Sequence, residues 1–365
     1  MTIREQQASF SAWRADRTPL VLATVYETRG STYSKSGARM LVAQGGAFQG
    51  MLSGGCLEGD LAERAMSVLR TNTPQAVTYD LGKDDQDLWG LGVGCDGLMR
   101  IFLQPLLPED DYQPFAAISE VLSGDDHGVA ATVLESQHPE VSPGATLVLC
   151  GDAVSAFGVP GECRDVLISA SRLAATEKRF GTCVLEVSRC ELKILTARLL
   201  PPPTLLVLGA GLDAFPVLRL ATELGWRVTV QDHRPAYIER GDFRSAERVL
   251  CVPAESLAQH VALSRFDAVI VMSHHLATDR KYLSSLADSA IPYVGLLGPR
   301  DRRTRLMDDL GESGKCLEHR LHGPAGFDIG ADGPASIALS ILAEIHAELR
   351  KAGRQAPTDP AHNGT

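Results

Sequence analysis

Short apolar runs bounded by glycine or proline alternate along this chain with stretches of helical periodicity, the pattern of a protein built from both strands and helices. In the first half, Ala23-Thr24-Val25-Tyr26-Glu27, Gly37-Ala38-Arg39-Met40-Leu41-Val42 and Met99-Arg100-Ile101 read as strands. Leu57, Leu61, Ala65, Val68 and Leu69 fall on one face of a helix that Cys56 is expected to open. Each strand returns further along, as Ala131-Thr132-Val133-Leu134-Glu135, Gly144-Ala145-Thr146-Leu147-Val148-Leu149 and Leu192-Lys193-Ile194. Residues 1–110 and 111–200 therefore read as two α+β segments, the second a shorter, degenerate repeat of the first, with Cys163 as the counterpart of Cys56.

The triple proline Pro201-Pro202-Pro203 ends that region, since it cannot continue a sheet interior. Leu205-Leu206-Val207-Leu208 then suits a strand buried on both faces. Gly209-Ala210-Gly211-Leu212-Asp213-Ala214 follows, with a helical pattern to Leu224 and a second strand, Arg227-Val228-Thr229-Val230-Gln231, ending at Asp232. This is a G-x-G-x-x-A turn between strand and helix, with an acid about 20 residues on that can accept ribose hydroxyls. Further strands at Ala268-Val269-Ile270-Val271-Met272 and Tyr293-Val294-Gly295-Leu296-Leu297 predict a Rossmann-like, doubly wound parallel sheet over 201–352. The polar stretch 353–365 is expected to be a flexible tail. The fold class is thus α/β.

Composition narrows the function. The chain has 365 residues and no run near the roughly 20 apolar residues of a membrane span. Its N-terminus has no apolar core of a signal peptide, and its eight cysteines include no C-x-x-C pair. Reduced thiols in the cytoplasm are expected. A net charge of −10 argues against nucleic-acid or membrane-surface partners, so any anionic ligand must be held locally.

Two cysteines stand out because glycines surround them: Ser53-Gly54-Gly55-Cys56-Leu57-Glu58-Gly59 and Gly92-Val93-Gly94-Cys95-Asp96-Gly97. Glycines let backbone amides approach a ligand and leave the sulfur uncovered. Cys56 and Cys95 are therefore candidate ligand-contacting or sulfur-handling thiols, with Gly54, Gly55 and Gly94 beside them. In the parallel half the candidates are Gly209, Gly211 and Asp232 for a nucleotide, with Arg234 able to tolerate a 2′-phosphate. Ser273, His274 and His275 lie at the carboxyl end of a strand, where ligands of such sheets bind. Arg300, directly after Gly298-Pro299, suits a phosphate, and Asp328 the polar edge of a base. No residues form a convincing metal motif.

With these residues in view, the chain resembles the XdhC/CoxI family of xanthine dehydrogenase accessory factors over nearly its whole length. The resemblance rests on the loop from Gly30-Ser31 to Gly37-Ala38-Arg39-Met40, on Ser53 to Gly59, and on Val271-Met272-Ser273-His274-His275 with Asp279. It rests further on Tyr293 through Arg300 and on Leu321-His322-Gly323-Pro324-Ala325-Gly326-Phe327-Asp328-Ile329-Gly330-Ala331. It implies a chaperone that binds molybdenum cofactor, as molybdopterin or its cytosine dinucleotide form. Such a chaperone supports sulfuration of the cofactor and inserts it into an apo-molybdenum hydroxylase of the xanthine or aldehyde dehydrogenase type. A cysteine desulfurase is an implied partner, and a homodimer is left open. Asp96 and Leu212-Asp213 depart from the family's commoner residues. Two other functions stay open: an NAD(P)-dependent oxidoreductase using the Rossmann cleft, and a sulfurtransferase carrying a persulfide on Cys95.

Overall fold

The computed structural model describes residues 2–80 and 97–353, which divide into two compact units between Pro201 and Pro202. In the first unit, helix α1 (Ile3–Ala15) precedes strands β1 (Leu20–Arg29), β2 (Arg39–Ala43) and β3 (Phe48–Gln49). Helix α2 (Glu58–Thr71) leads to β4 (Gln75–Asp80) and β5 (Leu98–Leu106), giving an antiparallel sheet of order β3-β2-β1-β5-β4. After α3 (Phe115–Ser123) come β6 (Gly128–Ser136), β7 (Thr146–Cys150), β8 (Ala153–Phe157), α4 (Gly161–Glu177), β9 (Gly181–Val187) and β10 (Cys190–Leu199). Their order, β8-β7-β6-β10-β9, has the same topology.

The likeness extends to register. Leu20 pairs with Ala43 and Leu106, and Gly128 pairs with Cys150 and Leu199. Both central strands bulge at equivalent residues, Tyr26 and Leu134, which their partner strands skip. Tyr26 and Phe102 of one sheet meet Leu134, Leu195 and Ala197 of the other, so the sheets share an apolar layer. Helix α2 covers the outer face of the first sheet and α4 that of the second. In the helices the buried set Leu57, Leu61, Ala65 and Val68 matches Cys163, Leu167, Ser171 and Ala174. Both helices end in a left-handed residue, Asn72 and Lys178. This register puts Cys163 at the place of Leu57, not of Cys56. It is a core residue whose thiol is pushed up by burial and by Glu162.

The second unit is a six-stranded parallel sheet. Its strands are β11 (Thr204–Leu208), β12 (Arg227–Asp232), β13 (Arg248–Cys251), β14 (Ala268–Val271), β15 (Tyr293–Leu296) and β16 (Leu321–His322), in the order β13-β12-β11-β14-β15-β16. That is the order of a dinucleotide-binding fold, with its switch point between β11 and β14. Helices α5 (Ala214–Glu223), α6 (Pro235–Arg240), α7 (Leu257–His260), α8 (Leu276–Ala287), α9 (Arg300–Leu310), α10 (Glu312–Lys315) and α11 (Pro334–Gly353) complete the unit. Apolar residues of α5 and α11 cover one face of the sheet, and those of α8 and α9 the other. All four residues of β14 are buried, as a central strand covered on both faces requires.

Candidate functional site

In the first unit the site begins with Glu58. Its side chain folds back over the preceding loop and accepts hydrogen bonds from the amides of Leu52 (2.9 Å), Ser53 (2.8 Å) and Gly55 (3.0 Å) and from the Ser53 hydroxyl. The Ser53 hydroxyl in turn accepts from the Leu57 amide at 2.8 Å. Burial alone would raise the Glu58 pKa, but the Ser53 and Leu52 donors outweigh it and hold the carboxyl below its ordinary value. The same clamp moves the helix start. Leu57 becomes the N-cap and α2 begins at Glu58, so Cys56 lies in the loop before the helix rather than opening it.

Cys56 is exposed, and its amide and that of Gly54 make no hydrogen bond among the described residues. Gly54 and Gly55 both take positive φ, and a side chain on Gly54 would meet the ring of Tyr33 at 3.3 Å. That ring is 64% exposed. The loop thus presents a thiol and two amides, with an accessible aromatic face against Gly54. Gly94 and Cys95 lie outside the described residues.

Arg39 was visible in the sequence as part of a strand and of a stretch shared with the family, without a role of its own. It starts β2 half-buried, and no carboxylate among the described residues pairs with it. Burial pulls its pKa down to about 10. An arginine without a partner at this depth is poised for an anion. Arg39→Met is expected to leave the chain as stable as the wild type, within about 1 kcal/mol, because no ion pair is lost. Denaturant unfolding checks this, and a larger loss would show that the guanidinium is a structural partner.

In the second unit, the turn after β11 meets the end of β14 at the switch point. Gly209 takes φ +126°, and any side chain there would come within 2.5 Å of the Met272 carbonyl. Asp232 is fully buried, and its carboxylate accepts the Ala210 amide at 2.8 Å and the Arg234 amide at 2.9 Å. The Arg234 guanidinium also grips both of its oxygens, at 2.9 and 2.8 Å, and lies 3.6 Å above the Tyr237 ring. Burial would raise the Asp232 pKa, but Arg234 and the Ala210 amide hold it low. The carboxylate expected to take ribose hydroxyls is thus engaged by its own unit, and Arg234 is its partner.

His274 has a left-handed backbone, φ +60°, and its Nε2 lies 2.6 Å from Oδ2 of Asp213. Asp213 is the N-cap of α5, the place where a dinucleotide fold receives pyrophosphate. A carboxylate there repels phosphate. Ser273 donates to Asp279, a fully buried acid that also receives Arg302 at 2.6 Å. Gly298 makes room for this, since a side chain on it would meet Arg302 Cδ at 2.6 Å. Arg302, rather than Arg300 of the same basic cluster, is thus the arginine tied to the strand ends. Arg300 is exposed at the start of α9 and makes no side-chain hydrogen bond among the described residues.

His275 caps α8 and faces Thr278 at 3.0 Å. Asp328 is exposed, and among the described residues its side chain accepts only the Gly330 amide, at 3.4 Å. Its loop is held instead by Glu344 of α11, which accepts from the Gly326 amide and the Tyr293 hydroxyl. The structure therefore gathers Gly209, Gly211, Asp232, Arg234, Ser273 and His274 at the switch point, and leaves Arg300 and Asp328 without hydrogen bonds to them among the described residues. Among the described residues no group of histidine, cysteine and acid side chains could hold a metal ion, and no helix is long and apolar enough to cross a membrane.

Residues 205–345 match the family model of the XdhC Rossmann domain, and residues 13–80 match that of the XdhC and CoxI family. The chain is 29% identical over 330 residues to a probable xanthine dehydrogenase subunit of Bacillus subtilis (strain 168), covering 90% of this chain and 93% of that one. It is 24% identical to the molybdenum cofactor insertion chaperone PaoD of Escherichia coli (strain K12), over 89% of this chain and 82% of that one. A crystal structure described as a xanthine dehydrogenase from Bacillus halodurans superposes with a TM-score of 0.79 at 26% identity, over 99% of this chain and 98% of the other.

Proposed function

This chain belongs to the XdhC/CoxI family, and from that premise we propose that it takes molybdenum cofactor as cargo, supports its sulfuration and passes it to an apo-molybdenum hydroxylase. The coarser role, an accessory protein to a hydroxylase of this kind, follows from the family itself. The observation that carries the finer reading is the loop clamped by Glu58, which offers an exposed thiol and unpaired amides beside the Tyr33 ring.

Each part suits a different end of such a cargo. A flat pterin can stack on the Tyr33 ring, and amides can bond its heteroatoms. The soft metal end can draw on the Cys56 thiol. Cys95 joins this set in the proposal as a second thiol. In this reading a cysteine desulfurase supplies the sulfur and the client receives the finished cofactor; the chain binds and orients.

An NAD(P)-dependent oxidoreductase is less well supported by the same geometry. Asp232 is spent on Arg234 and Ala210, and Asp213 puts negative charge where pyrophosphate would sit.

Coexpression with a client hydroxylase tests the proposal. Client activity and sulfido content are expected to fall at least about tenfold without the chain, and to a similar degree with Cys56→Ala and Cys95→Ala together, roughly the loss of one good binding contact. Full client activity with the double variant would remove the thiols from the account.

A further inference from the structure

The sequence singles out the stretch from Leu321 to Ala331, and after β16 this stretch turns back onto α11. Gly326 takes φ +101°, and a side chain there would collide with the Ser340 hydroxyl. The Gly326 amide donates to Glu344 at 2.8 Å and the Phe327 amide to the Ser340 carbonyl at 3.4 Å. The Ser340 hydroxyl in turn donates to the Phe327 carbonyl at 2.8 Å. Further on, the Ser336 hydroxyl accepts from the amides of Asp332 (3.2 Å) and Gly333 (3.1 Å). Both ends of the loop 326–333 are thus tied to the helix that follows.

The pinned loop leaves its apolar side chains in solvent. Phe327 is 44% exposed, Ile329 50%, and Leu339, the neighbour of Ser340 in α11, 55%. All three lie within two residues of the contact between Phe327 and Ser340. Half-exposed, they present roughly 300 Å² of apolar surface, the size of patch that marks an interaction site on a soluble protein. A fixed backbone loses little entropy when such side chains are covered. The surroundings are acidic. Asp328 and Asp332 are exposed and pair with no basic side chain among the described residues. From Gly323 to Leu349 the sequence contains no lysine or arginine. Arg303 of α9 lies against Gly323, four residues before Phe327.

We propose that Phe327, Ile329 and Leu339 are the docking surface for the client hydroxylase, whose matching face is an apolar pocket rimmed by lysine or arginine. The proposal rests on the accessory role stated above. A stable interface covers about 800 Å² on each partner, so the client also covers the acidic surroundings, which a basic rim compensates. The same charge argues against a second copy of this chain, since two such patches face to face bring Asp328 and Asp332 of both copies together. It opposes an anionic lipid surface for the same reason.

Biolayer interferometry of the full chain against client apo-hydroxylase, purified from cells that lack the cofactor, tests this. Phe327→Ser with Ile329→Ser should weaken binding at least about thirtyfold, the loss of one hot spot. Asp328→Lys with Asp332→Lys should slow association about tenfold. Leu173→Ser, at a comparably exposed leucine of α4 in the first unit, should change neither. The melting temperature and the pterin carried by each variant should stay at the wild-type level, which separates docking from cargo binding. Client affinity unchanged in the Phe327 and Ile329 variant would overturn the proposal, as would a wild-type dimer that this variant alone dissociates. A wild type that binds no client at all would overturn the accessory reading together with it.

Discussion

Glu58→Ala is expected to destabilise the first unit by about 3 kcal/mol and to abolish support of the client enzyme. The substitution strips three amides and a hydroxyl of their shared acceptor, and each donor left unsatisfied costs about 1–3 kcal/mol where water cannot fully replace the bond. Partial exposure of the loop lets water replace some of these bonds, which brings the total below the sum over all four donors. Glu58→Gln retains an acceptor oxygen but turns an amide group toward donors, so an intermediate loss is expected. The pH dependence has a definite sign. The folded-state pKa is held below the unfolded one, so the contribution is fully present above the unfolded value of about 4.3 and is lost as pH falls through the folded one. Denaturant unfolding of wild type and variants between pH 3 and 7 (about the range in which the carboxylate titrates) measures this. A loss below about 1 kcal/mol for Glu58→Ala would show that the loop keeps its shape by other means.

Asp232→Ala should cost the second unit about 3–5 kcal/mol, the scale of removing one partner from a buried ion pair. The Ala210 amide loses its acceptor, and Arg234 is left half-buried without its carboxylate. Adding Arg234→Met should recover part of the loss, because the stranded charge is then gone. If Asp232→Ala alone left unfolding unchanged, the carboxylate would be a ligand-binding group rather than a structural one. Calorimetry with NAD and NADP gives the complementary readout: the wild type is expected to bind neither at millimolar concentration.

The parallel half was largely legible in the sequence because its strands are continuous apolar runs and its glycine turn has a steric cause. Gly209 must be glycine where β11 passes the Met272 carbonyl, and that demand shows as G-x-G between a strand and a helix. In the first half three strands of each antiparallel sheet were legible as apolar runs, and the equivalent bulges at Tyr26 and Leu134 follow the matching segments. What periodicity did not reveal was how charged side chains turn. Glu58 bends back over the loop before it, which moves the helix start past Cys56. Arg234 folds onto Asp232 two residues earlier, and Arg302 rather than Arg300 reaches Asp279. Each of these is a choice of rotamer and partner, made by tertiary packing. The placement of Cys163 failed by one residue, because the short loop before α4 hides a shift that only the buried face of the helix discloses.

The central claim is that the chain holds molybdenum cofactor through its glycine–cysteine loop. The most direct measurement is to purify the wild type and Cys56→Ala from cells that make the cofactor, oxidise the bound fraction and quantify pterin fluorescence against protein. The account predicts a near-stoichiometric pterin signal from the wild type and a strongly reduced one from Cys56→Ala at unchanged melting temperature. Wild-type protein that carries no pterin, or a variant that carries as much as the wild type, would contradict it.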